Sequence, residues 1–248
     1  MNLEHYVTKC EEALPQSQRA LEYLHSRKVG PNAISDWRIG YDPGNGFNGM
    51  AGRIVLPLLD YNYNVVSATG RQLPGGKDPK YYHLPFYKSR WLYGLHASNF
   101  DYDFNIPVVV EGHFSAISLV EIGWPTYAVM GSTLSLWQAG HLTYIAAKLG
   151  QKQPHRFILF PDKDKPESAS KWRETLRRVA PAKCQEGDYP LISPRDCDPD
   201  WLAQNQPDNL FKQLQDASQL CKERKGISFP KSEPNNSRVP NQMSEPLK

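Results

Sequence analysis

From Ile106 onward the chain alternates short, continuously apolar runs with segments of helical periodicity, and this alternation limits the fold more than any other feature. PVVV (107–110) is followed by EGH and then FSAISLVEIG; TYAVM (126–130) is followed by a GST turn and a helical stretch over 136–149; RFILF (156–160) is followed by PDKDK and a helical stretch over 168–179. Runs that are apolar at every position belong to strands buried on both faces. Parallel strands cannot be joined by a tight turn, so helices between them are the expected crossovers. The expectation is an α/β fold, a parallel sheet with helices on its faces.

The first hundred residues read differently, as an α+β part. Residues 3–28 are expected to be helical in two pieces broken near Pro15, with Ser17 able to cap the second and Ala20, Leu21 and Leu24 on one face. Over 52–73, RIVLPLL and NVVSATG flank the turn-prone DYNYN, which suggests an antiparallel hairpin, and 73–80 (LPGGKDPK) reads as a loop. FDYDFNIP (101–107, from Phe100) breaks the pattern, so a basic helix-and-hairpin subdomain is expected over 1–104 and the parallel-sheet subdomain over 105–225. The latter closes on a helix over 208–225, with Asp208 as its N-cap, a stripe of Leu210, Leu214, Ala217 and Cys221, and Gly226 as its stop. The segment 226–248 holds four prolines and no periodicity, so a disordered tail is expected there.

The formal charge of +3 is small but unevenly spread: 53–90 carries six Lys/Arg against Asp60 and Asp78. Tyr81, Tyr82, Phe86, Tyr87, Trp91 and Tyr93 fall among or just after those cations. Cations neutralise phosphates and aromatic faces stack on bases, so one reading is a nucleic-acid surface; the other is a solvated face over core aromatics. No run approaches a membrane span, and MNLEHYVTKCEEAL lacks the basic start and apolar run of a secretion signal. Cys10, Cys184, Cys197 and Cys221 form no Cys-x-x-Cys pair, so no zinc site is expected and a reducing cytoplasm is.

Carboxylates gather where the expected strands end. Glu111 follows PVVV, Asp162 and Asp164 follow RFILF, and Asp198 and Asp200 lie in RDCDPDW after the apolar pair Leu191–Ile192. Ligands of open α/β sheets bind beyond the carboxyl ends of strands, and Mg²⁺ takes hard oxygen ligands, so these loops are candidates for one metal site. Taken singly, each also reads as a helix-start charge or a solvated turn.

In order and spacing these segments resemble the catalytic core of bacterial DnaG-type DNA primases, a TOPRIM family, over about 17–220. YLHSRKVGPNAISDWRIGYDP is similar to the family's helical lead-in, AGRIVLPLLDYNYNVVSATGRQL to its Gly-Arg hairpin, and PKYYHLPFYKSRWLYGL to its PKYLNSP…LYGL stretch. VVVEGHFSAISL resembles the first TOPRIM motif, AVMGSTLS the Leu-Gly-Thr turn, FPDKDK the Asp-x-Asp motif and RDCDPDWLAQ the late Asp-Pro-Asp. The resemblance implies Glu111 as a metal ligand or proton-transfer group, Asp162 and Asp164 as principal metal ligands, and Asp198 and Asp200 as further acids of the metal pocket. It implies Arg53, Arg71, Lys80 and Lys88 as holders of template or nucleotide phosphates. Two positions depart from the family: Ser115 stands where Glu-Gly-x-x-Asp ends in aspartate, and the glycine after Asp-x-Asp is replaced in a region holding Pro166 and Glu167.

The implied activity is Mg²⁺- or Mn²⁺-dependent synthesis of RNA primers from nucleoside triphosphates on single-stranded DNA, by a core without the family's zinc-binding and helicase-binding parts. A replicative helicase and a separate zinc-ribbon protein are the implied partners, with no membrane, and the setting is the cytoplasm, for a mobile or viral replicon. The alternatives are a catalytically weakened TOPRIM nucleic-acid-binding protein and a TOPRIM nuclease.

Overall fold

The computed structural model describes residues 2–44, 46–152, 155–179 and 198–223. Cys184, Leu191–Ile192, Cys197, the side chain of Cys221, Gly226 and the 226–248 segment lie outside the described residues.

Helix α1 (Leu3–Ala13) starts at Asn2, whose side chain accepts from the Glu4 amide. Pro15 has no amide proton for a continuing helix, and Leu14–Gln16 tightens into a 3-10 turn. Ser17 then caps α2 (Gln18–Ser26) through the Ala20 amide. This helix buries Ala20, Tyr23 and Leu24 and leaves Leu21 partly buried. A short α3 (Pro31–Asp36) leads into an antiparallel sheet ordered β1 (Gly40–Asp42), β2 (Arg53–Leu59), β3 (Val65–Gln72), β4 (Tyr81–His83). Gly40 is required by contact: a Cβ there would lie 2.6 Å from the Cys10 backbone.

The β2–β3 hairpin closes on Asp60, whose Oδ1 accepts from the amides of Asn62 (2.8 Å) and Asn64 (2.9 Å). Pro57 is tolerated inside β2 because β1 pairs only with residues 53–55 and ends before it. Strand β4 falls in a stretch with no clear alternation. It forms because Arg71 and Thr69 of β3 offer it a paired edge.

The parallel sheet is ordered β6 (Thr126–Ala128), β5 (Val108–Val110), β7 (Ile158–Leu159). The described strands are shorter than their apolar runs; β6 stops before Met130, which turns at φ 60°. Between them run α4 (His113–Glu121), α5 (Leu136–Lys148) and, after β7, α6 (Ser168–Val179). Helix α4 is buried from His113 to Val120, with no solvent face. Helix α5 opens with a capping box, Ser135 Oγ accepting from the Gln138 amide and Gln138 Oε1 from the Ser135 amide. The largest core cluster joins both sheets, with Ile54, Leu56 and Leu58 packed in the same body as Val108, Val110 and Ile158.

The chain ends, among the described residues, in α7 (Pro199–Asn205) and α8 (Pro207–Glu223). Leu210, Leu214 and Ala217 of α8 are buried, as the stripe requires. Asp208 is not its N-cap: Pro207, with φ preset for a helix, takes the first position, Gln206 precedes it, and Asp208 sits in the first turn. Among the described residues no helix is long and apolar enough to cross a membrane.

Candidate active site

The order β6-β5-β7 means that the chain leaves β5 toward one side and returns, by β7, on the other. A crevice opens at such a reversal, beyond the carboxyl ends of the strands. Glu111 follows β5 directly and Asp162 lies just past β7, so the two acids flank the crevice from adjacent strands. Glu111 is 4% exposed; its Oε2 lies 3.5 Å from Lys165 Nζ, and its Oε1 is buried with no hydrogen-bond partner. Burial pushes its carboxyl above the ordinary range, outweighing the Ser168 hydroxyl, Lys165 and the Asp162 amide, which pull it down. Asp162 Oδ1 is buried and equally unpartnered. Burial, then the fields of Glu111, Asp198, Asp200 and Asp164, raise the Asp162 carboxyl to about 7.

Asp198 occupies the N-cap position of α7, yet its side chain does not cap. Its Oδ1 accepts from the Lys163 amide at 3.0 Å, tying α7 to the loop that carries Asp162. Asp200 is paired with Arg27 at the end of α2. Asp162, Asp198, Asp200 and Ser115 line a cleft of about 320 Å³ together with Arg27, Arg71, Lys80 and Tyr81. The arginines are seated on rings. Arg71 lies 4.8 Å from the centre of Tyr81 and donates to the Tyr23 hydroxyl at 2.9 Å, while Arg27 lies 5.4 Å from Phe114 and 5.5 Å from Tyr23. Such stacking covers the faces of the guanidinium and leaves N–H edges for an anion.

The structure thus brings Glu111, Asp162, Asp198, Asp200, Arg71 and Lys80 together. Asp164 is exposed and does not line the cleft; it reaches Asp162 through its field alone. Arg53 is buried and donates to three backbone carbonyls, of Gly49 (2.8 Å), Lys77 (2.7 Å) and Pro79 (2.7 Å), so it holds the 77–80 loop that presents Lys80. Lys88 sits in the 3-10 turn Lys88–Arg90 with its ammonium against Gly131, near enough to Lys165 for the second cation, after burial, to lower its pKa.

Among the described residues no three His, Cys, Asp or Glu side chains close around one point. The donor set nevertheless fits a hard divalent cation. Two buried acid oxygens lack partners, two further carboxylates stand at the rim, and Mg²⁺ ordinarily uses one or two carboxylates and fills its shell with water and substrate phosphate.

No family model matches the chain. By sequence it is similar to the DNA primase of Legionella pneumophila, 28% identical over 210 residues, covering 82% of this chain and 33% of that protein. It is 25% identical over 224 residues to the DNA primase of Aquifex aeolicus, covering 76% of this chain and 43% of the relative. Among solved structures, the DnaG primase catalytic domain bound to ssDNA superposes with a TM-score of 0.71 at 20% identity, covering 86% of this chain and 77% of that one. The zinc-binding and RNA polymerase domains of the Aquifex aeolicus primase give 0.70 at 19% identity, covering 86% and 59%. The chain is similar in sequence to DNA primases and has the fold of the DnaG catalytic core. It spans about a third to two-fifths of the length of these two curated relatives.

Against the DnaG-type motif, Ser115 is the informative departure. It falls in the first turn of α4, four residues after Glu111, is 4% exposed and lines the cleft beside Asp162. A neutral hydroxyl therefore stands where the motif calls for a third acid. Sequence reasoning missed Arg27 and Lys165, the two cations paired with cleft acids. Arg27 carries no local motif and lies 173 residues from Asp200. Lys165 was visible, as the second cation of PDKDK, but alternating charges after a strand look like a solvated turn.

Proposed function

We propose that this chain joins ribonucleotides on a single-stranded DNA template, as the nucleotidyl-transfer core of a DNA primase. A primer 3′-hydroxyl attacks the α-phosphate of a nucleoside triphosphate and pyrophosphate leaves. One juxtaposition carries the reading: acid oxygens on Glu111 and Asp162 without hydrogen-bond partners lie in a crevice whose cleft is also lined by Arg71 and Lys80. Neither half alone discriminates, but acids for a cation beside cations for phosphates is the arrangement a nucleoside triphosphate requires.

Mg²⁺ or Mn²⁺, held by Glu111 and Asp162 with Asp198 and Asp200 at its outer side, would neutralise charge on the phosphoryl oxygens. Asp164 completes this acid set from the loop surface. Arg71 and Lys80 bind phosphate oxygens within the same cleft, and Arg53 keeps the Lys80 loop in place. Tyr81, held under Arg71, offers a ring beside the cations. Lys88 extends the cationic edge toward the 131–135 turn. The division into 1–104, 105–225 and a tail over 226–248 belongs to the same reading, as do a replicative helicase and a separate zinc-ribbon protein as partners in the cytoplasm.

The test is incorporation of labelled ribonucleotides on single-stranded DNA with Mg²⁺ or Mn²⁺, comparing wild type with Asp162→Asn. Synthesis by wild type that is lost in the variant is expected. Equal synthesis in both would remove the acids from the chemistry, and silence of the wild type with every cation and template would overturn the assignment.

A further inference from the structure

Beyond the cleft, the outer face of α5 and the start of the Lys88–Arg90 turn expose rings that burial would otherwise favour: Tyr87 is 73% exposed, Trp137 67% and Tyr144 58%. Trp137 and Tyr144 edge a groove of about 820 Å³ between α5 and the 61–62 turn of the β2–β3 hairpin. The face is rigid. The Arg90 carbonyl can only accept, so His141 Nε2 carries the proton in their 3.0 Å contact, and Nδ1 accepts from the Tyr61 hydroxyl at 2.9 Å. Tyr61 in turn meets the edge of Tyr144, with ring centres 5.3 Å apart. Gln138 fixes the 88–91 segment on α5 by donating to the carbonyls of Trp91 (2.8 Å), Val129 (3.2 Å) and Lys88 (3.3 Å).

The α5 side of this face carries charge of one sign, while Asp60 borders the hairpin side and is occupied by the Asn62 and Asn64 amides. Residues 84–98 and 133–149 contain Lys88, Arg90 and Lys148 and no acid. The Arg90 guanidinium lies 4.9 Å from the ring centre of Tyr87 and 5.9 Å from that of Trp137, a cation placed between two exposed rings. Exposed, pre-ordered aromatic planes with an interleaved arginine are the combination that binds single strands, the rings stacking on bases and the cation meeting the backbone. A protein-docking face would gain from apolar rings, but the positive charge of the α5 side, with Arg90 set between two exposed rings, points to a polyanion.

The patch also leads toward the buried acid Glu111. Within the turn Lys88–Arg90, Lys88 reaches toward Gly131 and the Lys165–Glu111 pair, while Arg90 reaches outward to Tyr87 and Trp137. We infer that the Tyr87–Arg90–Trp137–Tyr144 face is a second binding surface for single-stranded nucleic acid, leading toward Glu111 and holding the strand beyond the cleft by base stacking. The inference rests on the proposed function for the strand's direction, and on the rings and charge for its chemistry.

The test uses the full chain and fluorescently labelled oligothymidylates of about 6 and about 20 nucleotides, the shorter able to fill only one of the two surfaces. Trp137→Ala combined with Tyr144→Ala should weaken binding of the longer strand roughly ten- to a hundredfold and leave the shorter one unchanged. Trp137→Phe with Tyr144→Phe, which keeps the rings, should restore most of the loss. Arg71→Ala with Lys80→Ala reports on the cleft separately. Loss of binding in that pair alone, with the ring variants binding both strands normally, would overturn this surface and leave the cleft reading standing. No binding of either strand by wild type would overturn both. Sedimentation that finds a self-associating wild type and a monomeric ring variant with unaltered DNA binding would make the face a contact between copies, and would overturn the inference.

Discussion

The cations and the acids around the cleft are held on opposite principles, although Arg27 and Asp200 meet as a pair. Among the cations Arg71 hydrogen-bonds to Tyr23 and rests on Tyr81, Arg27 rests on Phe114, and Arg53 behind them satisfies three carbonyls. Among the acids the buried oxygens Glu111 Oε1 and Asp162 Oδ1 have no hydrogen-bond partner, and the fields of four other acids raise the Asp162 carboxyl. One set is electrostatically settled and the other is strained, and a fold selected for stability alone would not keep the second. The strain falls where a cation and phosphates would relieve it.

The largest effect should come from relieving it artificially. Asp162→Asn is expected to lower nucleotide incorporation about a hundredfold or more while making the metal-free protein more stable. The sign follows from linkage. The carboxyl is ionised above its unfolded value of 3.8 but held to about 7 when folded, so a penalty enters above pH 4 and is complete above pH 7. Discounted for its partial solvent contact, it amounts to about 2 kcal/mol at pH 8. Thermal unfolding in chelator should show the variant's advantage at pH 8 and almost none at pH 4. A variant less stable at pH 8 would mean that the acid set is not strained.

In the settled set the order reverses. Arg53→Ala should cost about 2–3 kcal/mol of stability, since three carbonyls lose a charged donor, one buried under the 77–80 loop. Lys80→Ala, at an exposed position, should leave stability within about 0.5 kcal/mol but lower the slope of log affinity for single-stranded DNA against log salt by about 1. Denaturant midpoints and salt-dependent anisotropy separate the two. If Arg53→Ala left stability untouched, its clamp would be unimportant and the arginine would return to the set of direct phosphate contacts.

These two sets were unequally legible in the sequence. The acids were readable because each follows an apolar run, and strand ends in an alternating fold face one edge; Glu111 and Asp162 needed only that topology. Their neutralisers were not. Arg27 and Lys165 are chosen by three-dimensional proximity, and no spacing rule links a residue on α2 to one on α7. The role of Arg53 was hidden because its partners are backbone carbonyls, which every residue has. In the fold, the long periodic helices and the hairpin emerged from pattern, while α3, β1, β4 and α7 are too short for a period to register. Asp208 misled because an Asx residue before an apolar stripe resembles a cap, and Pro207 starts the helix one residue earlier.

A smaller effect sharpens the comparison at Ser115. Ser115→Asp adds an acid to the strained set, so the metal-free protein should lose about 1 kcal/mol at pH 8 while divalent affinity rises several-fold. Unfolding with and without Mn²⁺ measures both changes. Destabilisation without tighter binding would place residue 115 outside the reach of the cation.

The central claim, that the unpartnered oxygens of Glu111 and Asp162 await a divalent cation, is tested most directly by titrating Mn²⁺ into wild type, Glu111→Gln and Asp162→Asn. Saturable binding to wild type that is lost in both variants is the predicted result. Equal binding in all three proteins would contradict the account.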